Sequence, residues 1–168
     1  MRKVILSMVV SLDGYIEDSN ASIDWHVWSE EMDRHMIGFF DQIDTIIFGR
    51  KTYELMADFW PTPLADTEST AIAERMNNLP KIVFSRTLES VAWGKWNNVL
   101  LIKENISEEI KLLKQQPGKD LVIFGGAELA ATFIQLGLID EYQLIVNPVL
   151  LGGASRCLKV LRKNWFST

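Results

Sequence analysis

The sequence predicts an α/β protein built on a mostly parallel sheet. Three observations carry that expectation. Short runs rich in β-branched and aromatic residues alternate along the chain with segments of helical periodicity. Several of these runs end at a glycine or a serine, as at Ser11, Gly49, Ser85 and Gly125. The first run, Val4 to Val10, is almost continuously apolar, as suits a strand covered on both faces. Parallel neighbours cannot be joined by a tight hairpin, so alternation of this kind is what crossover connections require.

Taken in order, Asp13-Gly14 marks a turn after the first strand. Residues 29–43 read as a helix, with Ser29 as its cap and Met32, Met36, Phe39, Phe40 and Ile43 on one face. Thr45 to Phe48 is a short strand broken by Gly49, and Arg50 to Asp58 is a helix stopped by Pro61 and Pro63. Thr67 to Asn77 is a further helix. Lys81 to Phe84 is a strand ended by Ser85-Arg86-Thr87, and Val99 to Ile102 is another. Ser107 is expected to cap a helix that turns Ile110 and Leu113 inward. Leu121 to Phe124 is a strand ended by Gly125-Gly126. Ala127 to Leu136 is a helix with Leu129, Phe133 and Ile134 on one face, closed by Gly137. Tyr142 to Val146 is a strand, followed by Pro148 and the Gly152-Gly153 break.

The chain has 168 residues and no repeat, low-complexity tract or linker. Residues 1–168 are therefore expected to form a single domain. Apolar residues make up 48% and charged residues 23%, an ordinary globular balance. The net charge of −5 repels phosphate backbones, so nucleic acid is not an expected partner, although a small anionic ligand needs only a few local cations. The single cysteine, Cys157, excludes an intrachain disulfide and a multi-cysteine zinc cluster. His26 and His35 lack supporting ligand spacing and read as surface or boundary residues, so no metal site is expected. The apolar N-terminal run is too short to span a membrane and lacks a small-residue cleavage site. A soluble, cytoplasmic protein is expected.

Ligands of such sheets lie beyond the carboxyl ends of the strands. Three of those ends share one chemical character. Gly49-Arg50-Lys51-Thr52 runs from strand into helix, where free N–H groups, two cations and a hydroxyl would suit a phosphate. The plain alternative is a surface helix with ordinary basic residues. Ser85-Arg86-Thr87 could hold a phosphate monoester such as the ribose 2′-phosphate of NADP, or be only a polar turn. Phe124-Gly125-Gly126-Ala127 leaves bare backbone for a pyrophosphate at a helix N-terminus, or is only a tight turn. The Gly-x-Gly-x-x-Gly fingerprint of dinucleotide-binding folds is absent.

In this order the three elements resemble the dihydrofolate reductase superfamily. The resemblance is strongest to the branch holding the reductase domain of the bifunctional riboflavin-biosynthesis enzyme and its stand-alone relatives. It is carried by Ser11-Leu12-Asp13-Gly14, by Phe48-Gly49-Arg50-Lys51-Thr52-Tyr53, by Phe84-Ser85-Arg86-Thr87 and by Ile123-Phe124-Gly125-Gly126. Ile139-Asp140-Glu141-Tyr142 and Pro148-Val149-Leu150-Leu151-Gly152-Gly153 complete it. The resemblance implies a three-layer sandwich and NADPH as cofactor, bound by Gly49 to Thr52, Ser85 to Thr87 and Phe124 to Ala127. It implies that the loop at Asp13 and Gly14 lies over the nicotinamide or substrate, and that the protein is a homodimer. Family members continue past the paired glycines into edge strands. Here no alternating final strand is visible before the chain ends at Trp165-Phe166-Ser167-Thr168, so those edge strands are expected to be missing or altered.

Dihydrofolate reductases carry a carboxylate early in the helix that precedes the Gly-Arg motif. Glu30, Glu31 and Asp33 are the candidates, and at about 100° per residue Asp33 falls on the shoulder of the apolar face near Ile37 and Phe40. Asp33 is the inward candidate for proton delivery, or else an acid stabilised by the helix dipole. Trp25 precedes that helix and Trp60 follows the Arg50 helix, so both could line a substrate pocket, although large aromatics are more often core. The implied activity is hydride transfer from NADPH to a pterin-like, ribosylamino-pyrimidine or sugar-derived small molecule. The alternatives are a non-catalytic nucleotide-binding homodimer on the same fold and a mainly structural dimer.

Overall fold

In the computed structural model, which describes residues 1–153, the expected alternation resolves into six strands and five helices. They run β1 (Val4–Ser11), α1 (Glu30–Phe40), β2 (Ile43–Gly49), α2 (Arg50–Phe59), α3 (Pro63–Asn78), β3 (Lys81–Phe84), β4 (Val99–Ile102), α4 (Ile106–Gln115), β5 (Asp120–Phe124), α5 (Ala127–Gln135) and β6 (Glu141–Asn147). The sheet order is β4-β3-β2-β5-β1-β6, and each of the five pairings is parallel. The α/β reading therefore holds, with a sheet that is wholly parallel among the described residues.

Alternating side chains on each central strand enter different cores, which is why those strands read as unbroken apolar runs. Leu6 and Met8 of β1, Ile47 of β2 and Ile123 of β5 pack with Ile110 of α4 and Phe133 of α5. Ile5, Ile46, Phe48 and Val122 pack on the other face with Phe39 of α1, Tyr53 of α2 and Met76 of α3. The result is the helix–sheet–helix sandwich that the resemblance implied.

Two helix starts differ from expectation. Pro63 does not only stop the preceding helix. It opens α3 at its first turn, where a missing N–H costs nothing, and the helix is interrupted at Ser69 before reaching Asn78. The helix expected to be capped by Ser107 begins two residues earlier than that cap allows, at Ile106. Its cap is Asn105 in the left-handed region (φ 56°), which places Ser107 inside the first turn. By contrast Ser29 caps α1 as expected, its hydroxyl accepting from the Met32 N–H. The altered edge strands and Cys157 fall after residue 153, outside the described residues.

The amino ends of β2, β3 and β5 are closed by two buried cations. Arg2 donates to Asp44 and to Thr45 Oγ1 (2.9 Å). Lys81 is 1% exposed. Its Nζ donates to the carbonyls of Asn77 (2.9 Å) and Leu79 (2.6 Å) and lies 4.6 Å from the ring centroid of Trp93. Burial pushes its ammonium group down to about 7. Trp93 in turn stacks on Phe48 and donates to Asn77 Oδ1 (2.8 Å). With that end sealed, the opposite, carboxyl end of the sheet is left for chemistry.

Candidate active site

The three glycine- or hydroxyl-rich strand ends belong to β3, β2 and β5, which are consecutive in the sheet. Sequence order does not require that, because β5 follows β3 by more than thirty residues. α2 starts directly from Gly49 and α5 directly from Gly126, and neither N-terminus has a side-chain cap. Both helices therefore point unpaired N–H groups and the positive ends of their dipoles at the carboxyl edge of the sheet. The two starts touch. A Cβ placed on Gly126 would lie 3.0 Å from Thr52 Oγ1, and one on Gly49 would lie 3.2 Å from Leu129 Cβ. Gly125 and Gly126 both have positive φ (67° and 81°), a conformation open to glycine but strained for other residues. Lys51 pairs with Glu128 across the two starts at 3.6 Å, and Arg50 pairs with Glu54 at 3.1 Å, both at the surface. At the next strand, Ser85 Oγ accepts from the N–H groups of Thr87 and Leu88 (3.2 Å each), which curls the turn and leaves Arg86 exposed. Phe124 and Ala127 flank the paired glycines and are half-buried.

Beyond β5, the ends of β1 and β6 build a second region. Ser11 lies opposite Asn147 in the parallel register. The Asp13 carboxylate accepts from Ser11 Oγ (2.7 Å) and from the N–H groups of Leu151 (3.2 Å) and Gly152 (2.8 Å). The Ser11 hydroxyl, followed by those two N–H groups, holds the Asp13 carboxyl down at about 2. The Asp13 carboxylate thereby joins the loop after β1 to the loop after β6. Gly14, at φ 84°, makes the turn that permits this. The long connection then returns over the end of β6, where the Val27 N–H donates to Asn147 Oδ1 (3.0 Å).

Asp33 lies in the first turn of α1 and is half-buried. Its Oδ1 accepts from the Trp28 indole at 2.7 Å, while Glu30 and Glu31 are exposed. Trp25 is half-buried, donates to the Ser22 carbonyl (3.2 Å) and meets the His26 ring edge-on at 4.5 Å. Trp60 packs instead at the α2–α3 corner, its indole N–H directed at Met56 Sδ. Of the two histidines expected at the surface or boundary, His35 is exposed and His26 is half-buried. Its Nε2 is shielded from solvent, and burial lowers its pKa. Asn147, 4% exposed, carries no signal in the sequence beyond its place at the end of a strand.

An open groove of about 660 Å³ runs between α1 and β6, lined by His35, Phe39, Tyr142 and Leu144 among others. None of its lining residues is a strand-end residue named above, so it is a separate surface feature. Among the described residues no cluster of three His, Cys, Asp or Glu side chains is placed to hold a metal, and no helix is long and apolar enough to cross a membrane.

Comparison with known proteins places these features in context. The family model of the RibD C-terminal domain matches residues 2–160. The Bacillus subtilis (strain 168) uncharacterized protein YyaP is 39% identical over 151 residues, covering 90% of this chain and 77% of its own. A Shewanella sp. PV-4 protein assigned to riboflavin biosynthesis superposes with a TM-score of 0.72 at 25% identity, over 92% of this chain and 82% of its own. Enterococcus faecalis dihydrofolate reductase, solved with NADP(H), shares the fold with a TM-score of 0.60 at 19% identity, over 92% of this chain and 76% of its own. The fold also recurs in a Thermotoga maritima diaminohydroxyphosphoribosylaminopyrimidine deaminase/5-amino-6-(5-phosphoribosylamino)uracil reductase (TM-score 0.62, 16% identity, 93% of this chain and 47% of that one).

Proposed function

The chain belongs to the RibD C-terminal domain family, and from that premise we propose that it is an NADPH-dependent reductase acting on a pterin-like or ribosylamino-pyrimidine small molecule. The observation that carries the reading is the convergence of two uncapped helix starts and the Ser85–Thr87 turn on three adjacent strand ends. The glycine backbone at 125–126 fits a pyrophosphate, because any side chain there would fill the space beside Thr52. In this reading Gly49, Thr52, Gly125, Gly126 and Ala127 hold the pyrophosphate. Arg50 and Lys51 add positive charge, and Ser85, Arg86 and Thr87 take the ribose phosphate. When bound, NADPH supplies the hydride. The chain's own residues bind and orient: the loop through Gly14 and Trp25 covers the acceptor and excludes water, and Asp33 supplies or steers a proton. A cytoplasmic homodimer completes the proposal. The half-exposed Tyr142, Leu144 and Val146 on the outer strand β6 support a partner surface there.

NADPH oxidation in the presence of dihydropteridines and ribosylamino-pyrimidines tests the reading. Binding of NADPH with no acceptor reduced would favour a nucleotide-binding role instead. Arg86→Ala is expected to weaken NADPH about 10- to 100-fold and NADH hardly at all, because a charge-assisted phosphate contact contributes roughly 1.5–3 kcal/mol. Calorimetric titration with both cofactors reads this, and equal losses would remove Arg86 from phosphate recognition. Asp33→Asn keeps the acceptor that Trp28 uses but cannot ionise. It is expected to slow hydride transfer by about 10²- to 10⁴-fold with little change in NADPH affinity, measured by single turnover across pH. An unchanged rate would pass the role to Glu30 or to an ordered water.

A further inference from the structure

Two side-chain nitrogens among the described residues are buried without any hydrogen-bond partner, His26 Nε2 and Asn147 Nδ2. Other buried polar side chains are satisfied, including Arg2, Thr45, Asn77 and Lys81. The two orphans occupy one corner. Asn147 ends β6 beside Ser11, and its Oδ1 is held by the N–H of Val27, the residue after His26. That bond fixes the carboxamide: the oxygen is taken, so the end left over is the NH₂, a donor. Burial disfavours the charged form of the His26 imidazole, and in the neutral form its Nε2 can act as an uncharged acceptor. Buried polar groups are nearly always paired. Two unpaired ones in one corner, at the edge of a sheet where ligands lie, call for a partner from outside the described residues, and a bound ligand is such a partner.

We propose that His26 and Asn147 read the hydride acceptor, and that they read an uncharged lactam edge: a ring carbonyl accepting from Asn147 Nδ2 and the adjoining ring N–H donating to His26 Nε2. The identity of this ligand as the acceptor rests on the reductase reading above. The chemistry of the corner disfavours charged ligands. An anion would sit near the ionised Asp13 with no cation among the corner residues named here. An amidinium would want a carboxylate, and that of Asp13 is already engaged by Ser11, Leu151 and Gly152. A lactam offers one acceptor and one donor side by side, which is the complement of one carboxamide NH₂ and one neutral imidazole nitrogen.

The test uses the full chain, labelled with nitrogen-15 and free of cofactor, titrated with 5,6-diaminouracil. The side-chain amide pair of Asn147, identified by its disappearance in Asn147→Asp, is expected to shift saturably. The 1,3-dimethyl analogue, whose ring nitrogens carry no hydrogen, is expected to bind at least about tenfold more weakly. Asn147→Asp keeps the acceptor for Val27 but loses the donor, and His26→Phe keeps the ring but loses the nitrogen. Each is expected to weaken diaminouracil by about tenfold or more. An amide pair that does not move would mean the corner holds only buried water, and the proposal would fall. It would fall equally if both rings bound alike, or if both variants melted and bound as wild type. NADPH calorimetry on the same sample separates the two readings. Probe binding without NADPH binding removes the reductase reading and leaves the corner; NADPH binding with a silent Asn147 removes the corner alone.

Discussion

Gly126→Val is expected to abolish NADPH binding, with a loss of about 100-fold or more, and also to lower stability by about 1–3 kcal/mol. The first effect follows from position. Gly126 is the residue from which α5 starts, and a side chain there enters the space beside Thr52 Oγ1 that a pyrophosphate would occupy. The second follows from backbone geometry: φ is 81°, where a β-branched residue is strained. Expecting the fold to be untouched would be wrong, so the experiment needs a control that carries strain alone. Gly137→Val supplies it. Gly137 has φ 64° at the far end of the same helix, and nothing lies within 4 Å of a Cβ placed there. Thermal melting should show comparable destabilisation in both variants, while calorimetry should show loss of NADPH binding only in the first. A folded Gly126→Val that binds NADPH like wild type would reduce the Gly125-Gly126 turn to a structural element.

Lys81→Met is expected to stabilise the protein below neutral pH and to flatten its stability against pH. The folded pKa of Lys81 is about 7, against 10.5 for an unburied lysine. Between those values the unfolded chain binds the proton that the folded chain releases, so wild-type stability rises with pH across that window. Below about pH 7 the whole cost of burying the charge is present, on the order of a few kcal/mol. The carbonyls of Asn77 and Leu79 and the ring of Trp93 offset part of it. Methionine keeps the stem in its apolar slot. It does not strand those carbonyls either, because Asn98 Nδ2 also donates to Asn77 O (2.8 Å) and Leu79 O (3.1 Å). Urea unfolding at pH 6, 7.5 and 9.5 measures this as about the same stability throughout for the variant and a rising one for wild type. Parallel profiles would mean that the lysine is buried at no electrostatic cost.

Where local chemistry decides structure, the sequence was legible. The unbroken apolar run of β1, the Ser29 cap and the strand-to-helix turns at Gly49 and Gly126 follow from residues within a few positions of each other. The same is true of the three candidate phosphate-binding ends as motifs. Their adjacency in the sheet was not legible, because strand order is set by long-range pairing. Local reading failed where two solutions compete. A serine two residues inside a helix looks like a cap until Asn105 takes the left-handed position before it. A proline looks like a stop until it serves as a start. His26 and Asn147, some 120 residues apart, were beyond reach for another reason: what marks them is a missing partner, and that exists only once the chain around them has closed.

β1 pairs only with β5 and β6, while β2, β3 and β4 pair among themselves before β5 joins them. On the ribosome, the first strand made therefore has no neighbour until residue 120 has emerged. At about 5–20 residues per second that wait is roughly 5–22 seconds. During it, the most apolar segment of the chain is held without its hydrogen bonds, in a form prone to self-association. β5 ends the wait by seating itself between the finished β2–β4 half and the stranded β1. The strand whose end carries Gly125 and Gly126 is thus also the first native neighbour that β1 meets.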